Sequence, residues 1–159
     1  AFDKNGQLAS QGTVNATLLA KLNACIERYS SDRPSLRLES FESDCRPLLD
    51  KSSVSIEDKL ATMVESIGHA ILHALPPAKR RLSILCTGGG TWNSYLMYRL
   101  MEILEDRADL IVPEPEVVDF KEAIIFGFLG VLRVRNEPNT LKQVTGAFKD
   151  SSGGLMIGF

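Results

Sequence analysis

The sequence predicts an α/β domain, and three observations carry that prediction. The run Ser83-Ile84-Leu85-Cys86 reads as a short buried strand, Thr87-Gly88-Gly89-Gly90-Thr91-Trp92 as a tight turn, and Leu96, Met97, Leu100, Ile103 and Leu104 as the apolar face of a helix. A second apolar run, Asp109-Leu110-Ile111-Val112, is closed by Pro113 and Pro115. Two strands separated by one helix make a parallel βαβ unit. The chain ahead of this unit carries long helical patterns that can cover a sheet.

The glycine turn organises the rest. Three glycines let the backbone bend tightly and approach a ligand closely. Asn93 or Ser94 can cap the helix that follows. Strand, glycine turn and helix start together present backbone N–H groups and the positive helix end to a polar or anionic ligand. The same residues also read as a plain tight connection, and the sequence pattern leaves both readings open.

Composition sets the class. The 159 residues suffice for one domain with a core, and 44% hydrophobic with 24% charged residues is ordinary for a soluble globular chain. The net charge is −2 and the Lys and Arg residues are scattered, which argues against a nucleic-acid face. No apolar run approaches the ~20 residues of a membrane span. The polar start Ala1-Phe2-Asp3-Lys4-Asn5-Gly6 predicts no leader, and it reads as a turn from the interior of a longer chain. Three widely spaced cysteines, Cys25, Cys45 and Cys86, argue against a disulfide framework or a zinc site and for a reducing, cytoplasmic setting.

Taken in order, Asn15 caps a helix from about Ala16 to Tyr29 whose buried face is Leu18, Leu19, Leu22, Cys25 and Ile26. Residues Ser30 to Pro34 end it. A short helical piece leads to Leu48-Leu49. Ser55 caps the longest helix, with Glu57 and Asp58 in its first turn, and Pro76-Pro77 stops it after Leu75. Its buried stripe is Leu60, Met63, Val64, Ile67, Ile71 and Leu75, and Gly68 is either a soft spot or a point of close packing. Lys79-Arg80-Arg81 reads as a solvated connector. After the second strand, Asp119-Phe120-Lys121-Glu122 begins a helix from Ala123 to about Arg135 that is apolar on most faces and therefore expected to be buried. The tail residues Leu155 to Phe159 form a candidate edge strand.

Other chemistry-bearing residues have bland readings. His69 and His73 share the spacing of a two-histidine metal face, yet His-Ala-Ile-Leu-His lacks the Glu of the zinc-protease motif and a third ligand. They read as structural. Cys86 reads as a buried strand residue more readily than as an activated thiol. Trp92 lines a pocket or covers an apolar edge, and the sequence does not decide. Glu122 reads as a dipole partner at a helix start. No metal site, Ser-His-Asp set, Walker loop or Cys-x-x-Cys pair is seen.

Several stretches, in order, resemble the second half of anhydro-N-acetylmuramic acid kinases. They are Asp3 and Gly6, Gly12-Thr13-Val14-Asn15 with Leu18-Leu19, Ser35-Leu36 with Glu39-Ser40-Phe41, and Ser55-Ile56-Glu57-Asp58-Lys59-Leu60-Ala61-Thr62. Leu85-Cys86-Thr87-Gly88-Gly89-Gly90-Thr91-Trp92-Asn93 is similar to the family's glycine-rich segment. Asp119-Phe120-Lys121-Glu122-Ala123-Ile124-Ile125-Phe126-Gly127 is similar to its Glu-Ala helix, and Val144-Thr145-Gly146-Ala147 to its C-terminal signature.

The resemblance implies the C-terminal lobe of an actin-like, ribonuclease H-like ATPase fold, with a mixed sheet flanked by helices, as one lobe over residues 1–159. It implies that Gly88, Gly89, Gly90 and Asn93 form the adenosine side of an ATP site and that Glu122 contacts the sugar. The implied reaction uses ATP, Mg²⁺ and water to open a 1,6-anhydro ring and phosphorylate O6 in cell-wall recycling. The catalytic Asp and the phosphate loops would belong to an N-terminal lobe, so this chain holds no catalytic residue and is expected to be inactive alone. A lone lobe is also expected to expose apolar surface through which it could dimerise.

The chain departs from the family pattern at two places. The segment Lys-Ser-x-Gly-Arg-Glu stands here as Pro34-Ser35-Leu36-Arg37-Leu38-Glu39, and Lys121 replaces a small or apolar residue before Glu122. These departures point to an altered substrate or to lost activity. They keep a second reading in play, a degenerate homologue that binds nucleotide or a partner without catalysis. A third is an unrelated βαβ binding domain.

Overall fold

The computed structural model describes residues 2–29 and 38–158. The chain divides into two compact units, Ala1–Val112 and Pro113–Phe159.

In the first unit the helices are α1 (Ala16–Glu27), α2 (Leu38–Ser40), α3 (Arg46–Asp50), α4 (Ile56–Ala74) and α5 (Ser94–Ile103), and the strands are β1 (Leu82–Leu85) and β2 (Ala108–Ile111). A π-helical turn, Phe41–Cys45, joins α2 to α3. β1 and β2 pair in parallel, with Leu82 opposite Ala108 and Leu85 opposite Ile111. The expected βαβ unit is therefore present. Among the described residues the sheet has these two parallel strands, and the antiparallel members of a mixed sheet are not among them.

Local signals set the helix starts. The Asn15 side chain accepts the Leu18 N–H at 2.9 Å, and Ser55 Oγ accepts the Asp58 N–H at 3.1 Å. Each satisfies an N–H that the helix itself leaves unpaired. α4 then serves two cores. Met63 packs with Leu18, Leu22, Cys25 and Cys45, while Ile71 and Leu72 pack with Leu100, Leu104 and Ala108 beneath the sheet. The buried line of α4 runs through Ala61, Thr62, Val64, Ser66 and Gly68, smaller and more polar than the expected stripe. Small residues let α1 and α5 approach closely. A Cβ on Gly68 would collide with Ile103 Cδ1, so Gly68 is a close-packing point.

The strands are only half covered. Leu82, Ile84, Ala108 and Leu110 face the helices, whereas Leu85 is 62% exposed and Ser83, Asp109 and Ile111 are also exposed. The fully buried strand expected at Ser83–Cys86 is thus corrected to an alternating one, since a single helical layer covers one face of the pleat. The basic connector is solvated as expected, with Lys79, Arg80 and Arg81 exposed and Arg81 in a surface pair with Asp109 at 2.7 Å.

The second unit holds α6 (Pro115–Val134) and α7 (Lys142–Thr145). α6 begins well ahead of the expected Ala123 because Pro115 opens it, its fixed φ suiting the first helical position. The expected burial of α6 is also corrected. Val118 is buried, but Phe120, Ile124, Phe126, Phe128 and Val131 are exposed, since this unit contains too little other chain to cover them. No strand forms over residues 155–158. The tail is instead tied by an antiparallel bridge between Thr140 and Ser151. Asn139 pins it further, with Oδ1 accepting the Gly153 N–H at 2.8 Å and Nδ2 donating to the Leu129 carbonyl at 3.2 Å. Gly146, at φ 74°, stops α7 with its N–H on the Lys142 carbonyl, which gives Val144-Thr145-Gly146-Ala147 a structural role.

Candidate functional site

The glycine turn leaves the end of β1 and enters α5. Gly88 has φ 84°, a backbone conformation that glycine tolerates and other residues resist. Its carbonyl accepts the Thr91 N–H at 3.0 Å, and the Gly90 carbonyl accepts the Asn93 N–H at 3.1 Å. Asn93, not Ser94, is the cap: its Oδ1 accepts the Leu96 N–H at 3.0 Å. The surroundings are open. A Cβ on Gly88 or Gly89 would meet nothing within 4 Å, and one on Gly90 only Leu96 Cδ2 at 3.8 Å. The backbone of the turn is therefore approachable from outside.

Gly88, Gly89, Gly90 and Asn93 thus lie together on one turn, with Trp92, 46% exposed, among them. Glu122 lies in the second unit, exposed and within α6, with the half-buried Lys121 before it. The dipole reading of Glu122 is corrected, since it falls past the first helical turns and Glu116 holds the acidic first-turn position. Pro34, Ser35, Leu36 and Arg37 lie outside the described residues, and Leu38 opens α2.

Cys86 closes the strand, its N–H donating to the Ile111 carbonyl at 2.8 Å. Burial pushes its thiol above the ordinary cysteine range, which disfavours the thiolate a reactive cysteine needs. His69 is structural. Asn23 Nδ2 donates to His69 Nδ1 at 2.9 Å, and Asn23 Oδ1 accepts from Ser66 Oγ at 2.8 Å. The other ring nitrogen, Nε2, faces Glu65 Oε1 at 3.7 Å. His69 and His73 line a cleft of about 190 Å³ with Asn23, Ile26, Glu27 and Ala70. Among the described residues no group of three or more His, Cys, Asp or Glu is placed to hold a metal ion.

Two groupings had no marker in the sequence pattern. Arg99 on α5 reaches Glu65 on α4 at 2.8 Å and also pairs with Glu102, whose other oxygen accepts from Tyr98. Hydrogen bonding to Glu65 holds the guanidinium above its ordinary range. The second grouping joins the loop before α1 to the start of α4. Thr62 Oγ1 accepts the Asn15 N–H at 2.9 Å and donates to the Asp58 carbonyl at 2.6 Å, while Asp58 Oδ1 accepts the Thr13 N–H at 2.7 Å. A Cβ on Gly12 would collide with the Glu57 backbone. The stretches Gly12–Asn15 and Ser55–Thr62 therefore act as one structural lock.

The family model described as anhydro-N-acetylmuramic acid kinase matches residues 1–157. The anhydro-N-acetylmuramic acid kinase of Vibrio parahaemolyticus is 33% identical over 159 residues, covering 98% of this chain and 43% of that protein. That of Gloeobacter violaceus is 32% identical over 158 residues, 92% of this chain and 40% of its own length. That of Rhodococcus erythropolis is 33% identical over 150 residues, 92% and 37% respectively. The chain spans less than half the length of these relatives.

Proposed function

This chain belongs to the anhydro-N-acetylmuramic acid kinase family, and from that premise we propose that it is the C-terminal lobe of an ATP-dependent sugar kinase. The fold of the whole is proposed to be actin-like, two lobes around a nucleotide cleft, with the N-terminal lobe supplying the catalytic Asp, the phosphate loops and the Mg²⁺ ligands. The proposed reaction consumes ATP and water. Water adds at the anomeric carbon and breaks the 1,6-anhydro bridge, O6 takes the γ-phosphoryl group, and ADP leaves. The setting is cytoplasmic recycling of cell-wall sugars, in keeping with a chain in which no described helix is long and apolar enough to cross a membrane.

The observation that carries the reading is the open glycine turn on a capped helix start, at the position of the family's glycine-rich segment. Here Gly88, Gly89 and Gly90 let the nucleotide approach the backbone, and Asn93 holds the helix end in place. The nucleotide supplies the phosphoryl group. Glu122 is assigned to the sugar. A sugar-kinase transition state needs both lobes to organise it, so this chain by itself binds without turning over. The exposed apolar residues of α6 and the sheet are assigned to contact with the remaining lobe or a second copy.

Trp92, the only tryptophan, sits in the turn and reports the test. Titrating the chain with ATP is expected to change Trp92 fluorescence saturably, and Gly89→Ala to weaken that change at unaltered stability. With ATP and the anhydro sugar the chain alone is expected to give no phosphorylated sugar. Absence of any saturable response, by fluorescence and by calorimetry, would sink the nucleotide assignment. The non-catalytic homologue remains the second reading, favoured by Lys121 and by the substituted Pro34 to Leu38 segment. It predicts ATP binding but no sugar phosphorylation even when the remaining lobe is supplied.

A further inference from the structure

Cys25 and Cys45 are distant in sequence and adjacent in space. Cys25 lies on the last turns of α1 and Cys45 ends the π-helical turn, and their Sγ atoms are 2.8 Å apart. A disulfide bond measures about 2.0 Å. Both residues are buried, at 1% and 0% exposure, against Leu18 and Leu22. Burial pushes the Cys45 thiol up to about 12. Cys86 belongs to the end of β1 and contacts the Ile84 carbonyl.

We propose that Cys25 and Cys45 are a dithiol that closes to an intramolecular disulfide in the folded protein, tying α1 to the π-helical turn. The oxidant is a small disulfide such as oxidised glutathione. The Cys25 thiolate attacks one of its sulfurs and the first glutathione leaves as a thiolate that takes up the proton Cys25 released. Cys45 then loses its proton to solvent and attacks the Cys25 sulfur, expelling the second glutathione. Two protein thiols are oxidised and one glutathione disulfide is reduced to two thiols. Because both sulfurs are buried, exchange passes through local opening of the turn, and the closed bridge is equally shielded from reductant. The bridge joins positions 25 and 45 of the chain, between which lies the Pro34 to Leu38 departure from the family's pattern, and it restricts the unfolded chain.

The test equilibrates the chain in glutathione buffers from fully reduced to fully oxidised, quenches in acid and alkylates with N-ethylmaleimide in denaturant. Intact mass then counts free thiols. All three cysteines are expected to react after the reduced buffer and one, Cys86, after the oxidised buffer. Fragment spectra are expected to join Cys25 to Cys45, and the melting temperature to rise in a way that dithiothreitol reverses. Cys86→Ala is expected to lose both of its adducts in the same oxidised buffer. Three adducts in every buffer, glutathione adducts without a bridge, a bridge to Cys86, or a bridge that forms only in urea would overturn the proposal.

Discussion

The Gly6 backbone lies against the Asn93 side chain. At φ 72°, a Cβ on Gly6 would strike Asn93 Oδ1 and fall 2.6 Å from Tyr95 Cβ. That same oxygen accepts the Leu96 N–H and starts α5. The opening turn is itself held by Asp3, whose carboxylate accepts the Leu8 and Ala9 N–H groups at 2.9 and 3.0 Å. The opening turn of the first unit thus meets the helix cap beside the glycine turn.

Gly6→Ala is expected to destabilise the chain by more than about 2 kcal/mol, since it adds left-handed strain to a steric collision. Gly89→Ala is expected to change stability by less than about 1 kcal/mol, because its Cβ meets nothing. Urea denaturation of the two variants beside the parent checks the contrast. Similar losses from both would contradict the packing described.

Removing the cap separates folding from ligand approach. Asn93→Ala is expected to cost about 0.5–2 kcal/mol, and Asn93→Asp to restore most of it. Thermal melts followed by far-ultraviolet circular dichroism measure this. Full stability in Asn93→Ala would remove Asn93 from the helix start.

Thr62 is fully buried and bonded through both its donor and its acceptor. Thr62→Val keeps the shape but leaves the Asn15 N–H without its acceptor. The expected loss is about 1–3 kcal/mol, read from denaturant midpoints. Thr62→Ser should retain both bonds and lose less.

Asp44 gives a pH signature. The hydrogen bond from Tyr29, then that from Ser43, holds its carboxyl below the ordinary value of 3.8. A lowered folded-state pKa means that its stabilising effect is complete above the unfolded value and is lost as pH falls through the folded one. The gap between the parent and Tyr29→Phe should therefore be constant near neutrality and close in acid, below about pH 4. Equilibrium unfolding at a series of pH values checks it, and a gap that widens in acid would reverse the sign assigned here.

Short-range signals made much of the first unit legible. Asn15 and Ser55 announce helix starts by residue type, and Pro76-Pro77 stops α4 where it was expected to stop. The turn at Gly88 to Asn93 was legible for the same reason, because its conformation depends on residues within a few positions. Less legible was α6, where Pro115 reads equally as a strand stop and as a helix opener. Its apolar composition specified a surface that needs cover without specifying what lies beside it.

The sequence by itself determined the α/β class, the parallel βαβ unit, the caps and the family, since each rests on neighbouring residues or on an ordered series of short motifs. Tertiary structure alone decided that Gly6 reaches Asn93, that Thr62 locks Asn15, that Arg99 finds Glu65 and that Cys25 meets Cys45. These partners stand 20 to 87 positions apart, and no local periodicity encodes them. They arise from how the elements pack together, as where the small buried residues of α4 bring Thr62 to Asn15 and Glu65 to Arg99, a collective property of the folded core.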